Sequence, residues 1–253
     1  MSRVNLYIDC TNGVSGDMLC QCLTELCAND AFVKEQQQRV SDELHHQEQH
    51  QAGSEHGHDN EQPHGHNHGH AHTHPEQYTN RSFQSILTLL SDCQIDDDVK
   101  AMTLKIYTIL AIAEAEVHGE TLETVHFHEV GRPQAILNMV GIAAGLTALN
   151  PAKVYCSKVI DGFGTVACAH GEISVPVPAV LAMMNTSKLL FGTQKIEMEM
   201  VTPTGLAALL AMEPYYMANQ PEETQLLKTA EAKGARGYLE NSNLGGVVIT
   251  TFN

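Results

Sequence analysis

Hydrophobic and polar positions alternate between two periods along this chain. RVNLYID, residues 3–9, is apolar enough for a short buried strand, and CTNGVSGDM then supplies a glycine-containing turn. SGDMLCQCLTELC has the helical period, with Ser15 as N-cap and Asp17 placed to meet the positive end of the helix dipole. RSFQSILTLLSDC predicts an amphipathic helix, and IDDDVKAMTLKIYTILAIAEAEVHG a longer one opened by three acids. A further helix is expected through Asn138 to about Leu149. VYCSKVI reads as a strand, DGFGTVACAHGEI as loop and strand, and VPVPAVLAMMN as a proline-initiated helix. KIEMEMV alternates like a strand with one wet face. In TPTGLAALLAM, Thr202 is the expected N-cap, with Pro203 at the first helical position where a missing N–H is not felt. Turn and strand material closes the sequence.

Strands alternating with helices predict an α/β fold, mixed strands and helices in one compact unit, with a disordered His-rich insertion. Residues 1–33 would form a first strand–helix part of the core, and residues 81–253 the remainder. Between them, residues 34–80 lose nearly all apolar positions to Gln, Glu, Gly and His. Such a composition buries too little surface to offset its ordering entropy, so disorder is expected throughout it.

Charge narrows the function classes. A net charge of -16, from 30 acidic and 14 basic residues, argues against a phosphate-backbone partner and favours cations. The apolar run of residues 139–149 is too short for a bilayer span, and the first residues enter a strand with no signal-peptide pattern, so a cytoplasmic protein without a membrane partner is expected. Seven cysteines without CxxC pairs read as free thiols in a reducing compartment.

Histidine is the most specific compositional signal. Eleven of the fifteen lie between His45 and His74, and His64, His66, His68, His70, His72 and His74 alternate without interruption. Neutral imidazole suits nickel, copper and zinc, and a flexible alternating chain lets two or three rings converge on one ion. A second cluster, His126, His128 and Glu129, differs in kind. In an extended segment both imidazoles project from one side and can reach one ion, with Glu129 as a further ligand or an acceptor that orients a ring. Two histidines packed under a helix would show the same spacing. Asp9 ends a strand and Asp17 opens a helix, so both could face one crevice. His170 sits in glycine-rich surroundings. Thr202, Thr204 and the N–H groups of their helix start form an anion site. Nucleotide phosphate loops, dinucleotide fingerprints and GxSxG are absent from the sequence.

LYIDCTNGVSGDM, AEAEVHGETLETVHFHEVG, GFGTVACAHGEISVPVPA and EMVTPTGLAALLAM, in this order and beside an internal histidine tract, resemble the LarC-type nickel insertion proteins. The resemblance spans residues 4–30 and 81 to about 250. It implies insertion of Ni2+ into pyridinium bis-thiocarboxylic acid mononucleotide, the organic part of the nickel-pincer cofactor of lactate racemase, by a CTP-dependent nickel chelatase. The positions it carries over are Asp9, Ser15, Asp17, His126, His128, Glu129, His170, Glu199, Thr202 and Thr204. The His and acid members are then candidate metal contacts, and the Thr-Pro-Thr-Gly turn a phosphate or backbone support.

Two departures matter. After HEVG the family pattern runs roughly A-V-D-S-I-V-D, whereas RPQAILN here places Gln134 and Asn138 at the aspartates, with Arg132 close by. Longer members also continue into a C-terminal domain associated with CTP, together with Mg2+ or Mn2+. The expected function is delivery of nickel to an organic cofactor precursor or a nickel apo-enzyme. The alternatives are a non-catalytic nickel chaperone or store serving an enzyme such as a hydrogenase, and a zinc or copper buffer. A homo-oligomer stays open.

Overall fold

The structure is a computed structural model, and it describes residues 3–54, 81–168, 171–222, 225–234 and 246–253. It is mixed α/β. Strand β1 (Asn5–Asp9) leads into helices α1 (Gly16–Leu26) and α2 (Asp30–Ser54). A short strand β2 (Arg81–Ser82) precedes α3 (Phe83–Asp92) and α4 (Asp97–His118), and β3 (His126–Phe127) leads to α5 (Pro133–Leu149). Strands β4 (Val154–Cys156), β5 (Val159–Cys168) and β6 (Gly171–Val175) follow, then α6 (Pro178–Thr186), β7 (Phe191–Glu197) and α7 (Pro203–Ala211). The last strands are β8 (Tyr215–Tyr216), β9 (Leu226–Lys233) and β10 (Gly246–Phe252).

The larger sheet has the order β8-β4-β1-β10-β9. Its β8, β4 and β1 run parallel, while β10 lies antiparallel to both β1 and β9. A smaller sheet, β6-β5-β7, joins an antiparallel hairpin to a parallel partner, and β2 pairs with β3 as a two-stranded ribbon. Leu6 and Ile8 of β1 are fully buried in one core with Leu19 and Leu23 of α1 and with Ile136 and Val140 of α5. Among the described residues no helix is long and apolar enough to cross a membrane.

Three expectations need correction. Residues 34–54, read as disordered, belong to α2. Val33, Val40 and Leu44 give that helix a buried stripe. Two glutamines complete the stripe by hydrogen bonding: Gln36 Oε1 accepts from the Asp96 N–H at 2.8 Å, and Gln37 Nε2 donates to the Leu137 carbonyl at 2.9 Å. A face that buries polar side chains satisfied in this way has the mean polarity of a loop. The second correction is at Gly162 and Gly164, expected in a loop but lying inside β5. A Cβ on Gly162 would stand 2.1 Å from the Met198 carbonyl oxygen, so the missing side chain admits the neighbouring backbone rather than breaking the strand. Third, the strand expected at KIEMEMV starts and ends earlier, at Phe191–Glu197.

Met198 to Val201 leave the sheet to pair with the loop before α1. Val14 and Val201 form a parallel bridge, the Val14 N–H donates to the Met200 carbonyl at 2.9 Å, and the Thr202 N–H donates to the Val14 carbonyl at 3.0 Å. Glycine permits this approach: Gly13 has φ +91 and a Cβ there would meet the Met200 oxygen at 2.3 Å. On the other side, a Cβ on Gly205 would meet Ser15 Cα and the Val14 oxygen at 2.5 Å. In an ordinary helix, Gly to Ala gains about 1 kcal/mol. Gly205→Ala should instead lose roughly 1–3 kcal/mol of stability, because backbone atoms must move. Denaturant unfolding of the two proteins reads the sign directly.

Candidate functional site

His128 is placed by the residue before it. Phe127 turns into the core, with its ring centroid 6.3 Å from Phe83 and 5.7 Å from Tyr107. The Tyr107 hydroxyl donates to the Val130 carbonyl at 3.0 Å, which holds the turn that follows. Burial pushes the Tyr107 phenol well above its usual pKa, so it remains a neutral donor at any working pH. With Phe127 inward, His126 and His128 emerge on the opposite side of the extended backbone. They do not share surroundings. His126 is exposed, whereas half-buried His128 lines a cleft of about 480 Å³.

The elements around that cleft are well separated in sequence. The C-terminal turn of α4 brings Glu114, Val117 and His118, and the start of α5 brings Arg132 and Ala135. The β5–β6 hairpin contributes Val166, Cys168 and Ile173, and α6 contributes Pro178 and Ala179 at its start. Glu199, Thr202 and Thr204 come from the segment opening α7. Glu129 completes the polar set, 4.0 Å from the Arg132 guanidinium. Three carboxylates face one guanidinium, two imidazoles and a thiol, above apolar walls. This donor set offers nitrogen, oxygen and sulfur ligands to a divalent cation. Among the described residues no three His, Cys, Asp or Glu converge closely enough to enclose a metal ion.

The remaining candidates fall elsewhere. Asp9 Oδ1 accepts from the Thr11 N–H at 2.9 Å and its hydroxyl at 2.6 Å, closing a local turn. Ser15 caps α1, accepting from the Met18 N–H at 3.5 Å, and its hydroxyl donates to Asp17. None of these three lines the cleft. Thr202 caps α7: its Oγ1 accepts from the Gly205 N–H at 3.1 Å and lies 3.1 Å from Thr204 Oγ1. Gln134 donates through Nε2 to Asn138 Oδ1 at 3.0 Å, and neither amide is a cleft residue. His170 and the alternating histidines from His64 to His74 lie outside the described residues.

Sequence reasoning missed His118, Glu114, Cys168 and Asp161. His118 sits four residues after Glu114 at the end of a predicted helix, a spacing that places both on one face. For Asp161 there was no signal. It is fully buried, and its Oδ1 accepts from the N–H groups of Gly162, Met200 and Val201 at 2.8, 2.9 and 3.1 Å. Its Oδ2 is buried with no partner. The carboxylate thus ties β5 to the segment that delivers Thr202.

The fold is mixed α/β, with an open cleft lined by imidazole, carboxylate and thiol side chains. The chain matches the family described as nickel insertion protein over residues 6–251, and it belongs to that family. It is 34% identical over 229 residues to a putative nickel insertion protein of Synechococcus elongatus, covering 90% of this chain and 55% of that one. It is 32% identical over 205 residues to the pyridinium-3,5-bisthiocarboxylic acid mononucleotide nickel insertion protein of Acetivibrio thermocellus, covering 81% and 50%. A putative nickel insertion protein of Methanosarcina acetivorans is 40% identical over 136 residues, 53% of this chain and 34% of the relative. The chain spans about half the length of the first two relatives. No solved structure is significantly similar.

Burial raises the Asp161 carboxyl above the usual carboxylate pKa, against the pull of the three backbone donors. A carboxyl raised in the folded state adds stability that is fully present below its unfolded pKa of about 4 and is lost as pH rises through the folded value. The wild type should therefore lose stability relative to Asp161→Asn as pH increases from about 4 toward neutrality. Paired denaturation curves at several pH values check this, and parallel curves would contradict it.

Proposed function

We propose that this chain is the nickel-handling part of a nickel insertion protein. It takes Ni2+ from the histidine tract to the cleft at His128 and Glu129, and passes it there to an organic acceptor. The name of the Acetivibrio relative identifies the acceptor class, a pyridinium bearing two thiocarboxylates and one phosphate. Thiocarboxylate sulfurs are soft donors able to draw nickel from imidazole. The Thr202–Thr204 start of α7, beside Arg132, offers a single phosphate hydrogen-bond donors and positive charge.

The observation that carries this reading is the β2–β3 ribbon. Ser82 pairs with His126 and Arg81 with Phe127, so the chain leaving the tract is fixed against the strand that presents His128. His74 lies seven residues before Arg81, a reach of at most about 24 Å. Exposed His126, paired with Ser82 a few residues after the tract in sequence, then serves as a relay toward the cleft. A triphosphate fits the cleft poorly, since three carboxylates, Glu114, Glu129 and Glu199, line it against the single guanidinium of Arg132 among the described residues. We therefore assign any CTP step, with Mg2+ or Mn2+, to a further domain or a partner. The cytoplasm, where thiols such as Cys168 stay reduced, is the compartment this chemistry needs.

A store or chaperone for another nickel enzyme is the second reading. Its support is the Gln134–Asn138 pair, which places neutral amides bonded to each other where carboxylates could hold a cation.

The test is calorimetric nickel binding to this chain with all eleven histidines from His45 to His74 replaced by Asn. Point replacement is needed because α2 packs on α5, so a deletion starting near residue 35 would remove a core helix. One nickel per chain should survive, and His128→Ala should then abolish it. His126→Ala in the native chain should slow nickel transfer to a dithiocarboxylate acceptor with little change in affinity. Loss of all binding with the tract histidines would favour the storage reading.

A further inference from the structure

Asp161 is fully buried and lines no part of the cleft, yet it holds a segment that does. Two of the three N–H groups it accepts belong to consecutive residues, Met200 at 2.9 Å and Val201 at 3.1 Å. Consecutive N–H groups turned toward one point form a concavity that suits an anion, and here a carboxylate oxygen of the protein fills it. The Met200 N–H belongs to the peptide that joins Glu199 to Met200, and Val201 is the residue before Thr202. Glu199, Thr202 and Thr204 all line the cleft. The backbone of this wall is therefore oriented from inside the core.

As a device for stability alone the anchor is a poor one. All three bonds fall on Oδ1, while Oδ2 is buried with no partner among the described residues. Burying a charged group costs more than burying an amide, and a costly local arrangement beside a site points to function. What the anchor supports is a pair of donors. Thr202 Oγ1 accepts from the Gly205 N–H at 3.1 Å and lies 3.1 Å from Thr204 Oγ1. Whichever hydroxyl donates to the other, one hydroxyl proton of the pair remains to donate at the cleft. Its aim depends on the backbone at Thr202. The Val14 carbonyl holds that backbone from one side, accepting the Thr202 N–H at 3.0 Å, and the Asp161 anchor holds it from the other.

We propose that Asp161 is the positioning residue for the phosphate end of the cleft: through the backbone of Met200 and Val201 it aims the Thr202–Thr204 hydroxyl pair at the acceptor's phosphate. This deepens the proposed function and rests on its assignment of the phosphate to the start of α7. Charge alone would act in the opposite direction. Removing a negative charge behind an anion subsite strengthens anion binding. Loosening the anchor weakens it, because hydrogen bonds to a neutral amide oxygen are roughly half as strong as those to a carboxylate.

The probes are nicotinic acid mononucleotide, a pyridinium with one phosphate, and its riboside, the same molecule without phosphate. Binding to this chain is measured by calorimetry in the absence of metal, and the wild type should prefer the mononucleotide. In Asp161→Asn the mononucleotide should bind at least about fivefold more weakly, the worth of one hydrogen bond, while riboside binding stays unchanged. Thermal unfolding confirms that the variant is folded. If it is not, Asp161→Ser, which keeps one shorter acceptor, is read with the same two probes. Equal weakening of both probes would reduce Asp161 to a structural role, and an unchanged or tighter mononucleotide affinity would likewise overturn the proposal. Either result leaves the phosphate assignment standing as long as the wild type prefers the mononucleotide. A wild type without that preference would overturn the phosphate assignment, and the positioning role with it.

Discussion

The structure depends on a backbone clasp between two helix starts. The loops before α1 and α7 touch through main-chain atoms, with Val14 bridged to Val201 and with Gly13 and Gly205 each standing where a Cβ would overlap the partner. Asp161 locks the arrangement from below, accepting three backbone N–H bonds that join β5 to Met200 and Val201. Hydrogen bonds to a buried carboxylate are stronger than neutral ones, and each missing partner would leave a donor unsatisfied. The position of Thr202 and Thr204 at the cleft therefore follows from contacts made with the loop before α1. Ser15 and Asp17 take part in this clasp as a cap and its partner, which explains their place beside the cleft rather than in it.

Most of the architecture was legible because period and capping agree over most of the chain. The strand β1, the caps Ser15 and Thr202, the long α4 and the proline-started α6 all stand where residue spacing puts them. Reading failed where a polar residue did the work of an apolar one. Gln36 and Gln37 serve a buried helix face through their amides, and composition counts them as evidence of disorder. Gly162 and Gly164 failed for the opposite reason: glycine marks both a loop and a strand approached closely by its neighbour. The site was legible in part. HxH spacing gave a shared side for His126 and His128, yet it could not say that only His128 faces the cleft, because that depends on where α4, α5 and the β5–β6 hairpin meet. His118 and Asp161 belong to that same long-range geometry, and local pattern does not encode it.

Two pairs of residues at the start of α5 occupy different surroundings. Arg132 and Ala135 of α5 face the cleft, while Gln134 and Asn138 hydrogen bond to each other away from its lining. Two carboxylates at that four-residue spacing would repel by a few tenths of a kcal/mol and attract a cation; two amides satisfy one another without one. Neutral amides at these positions therefore leave no charged cation contact between them and do not line the cleft with its imidazoles. The cleft keeps its nitrogen, oxygen and sulfur donors under a different constraint, packing of Phe127 against Phe83 and Tyr107, which turns His128 outward regardless of what stands at 134 or 138. Since the orientation of His128 is set by an aromatic core and the amide pair by a local helix contact, the two features can change independently. That independence is the physical reason a chain with neutral residues on α5 can still present imidazoles to the cleft.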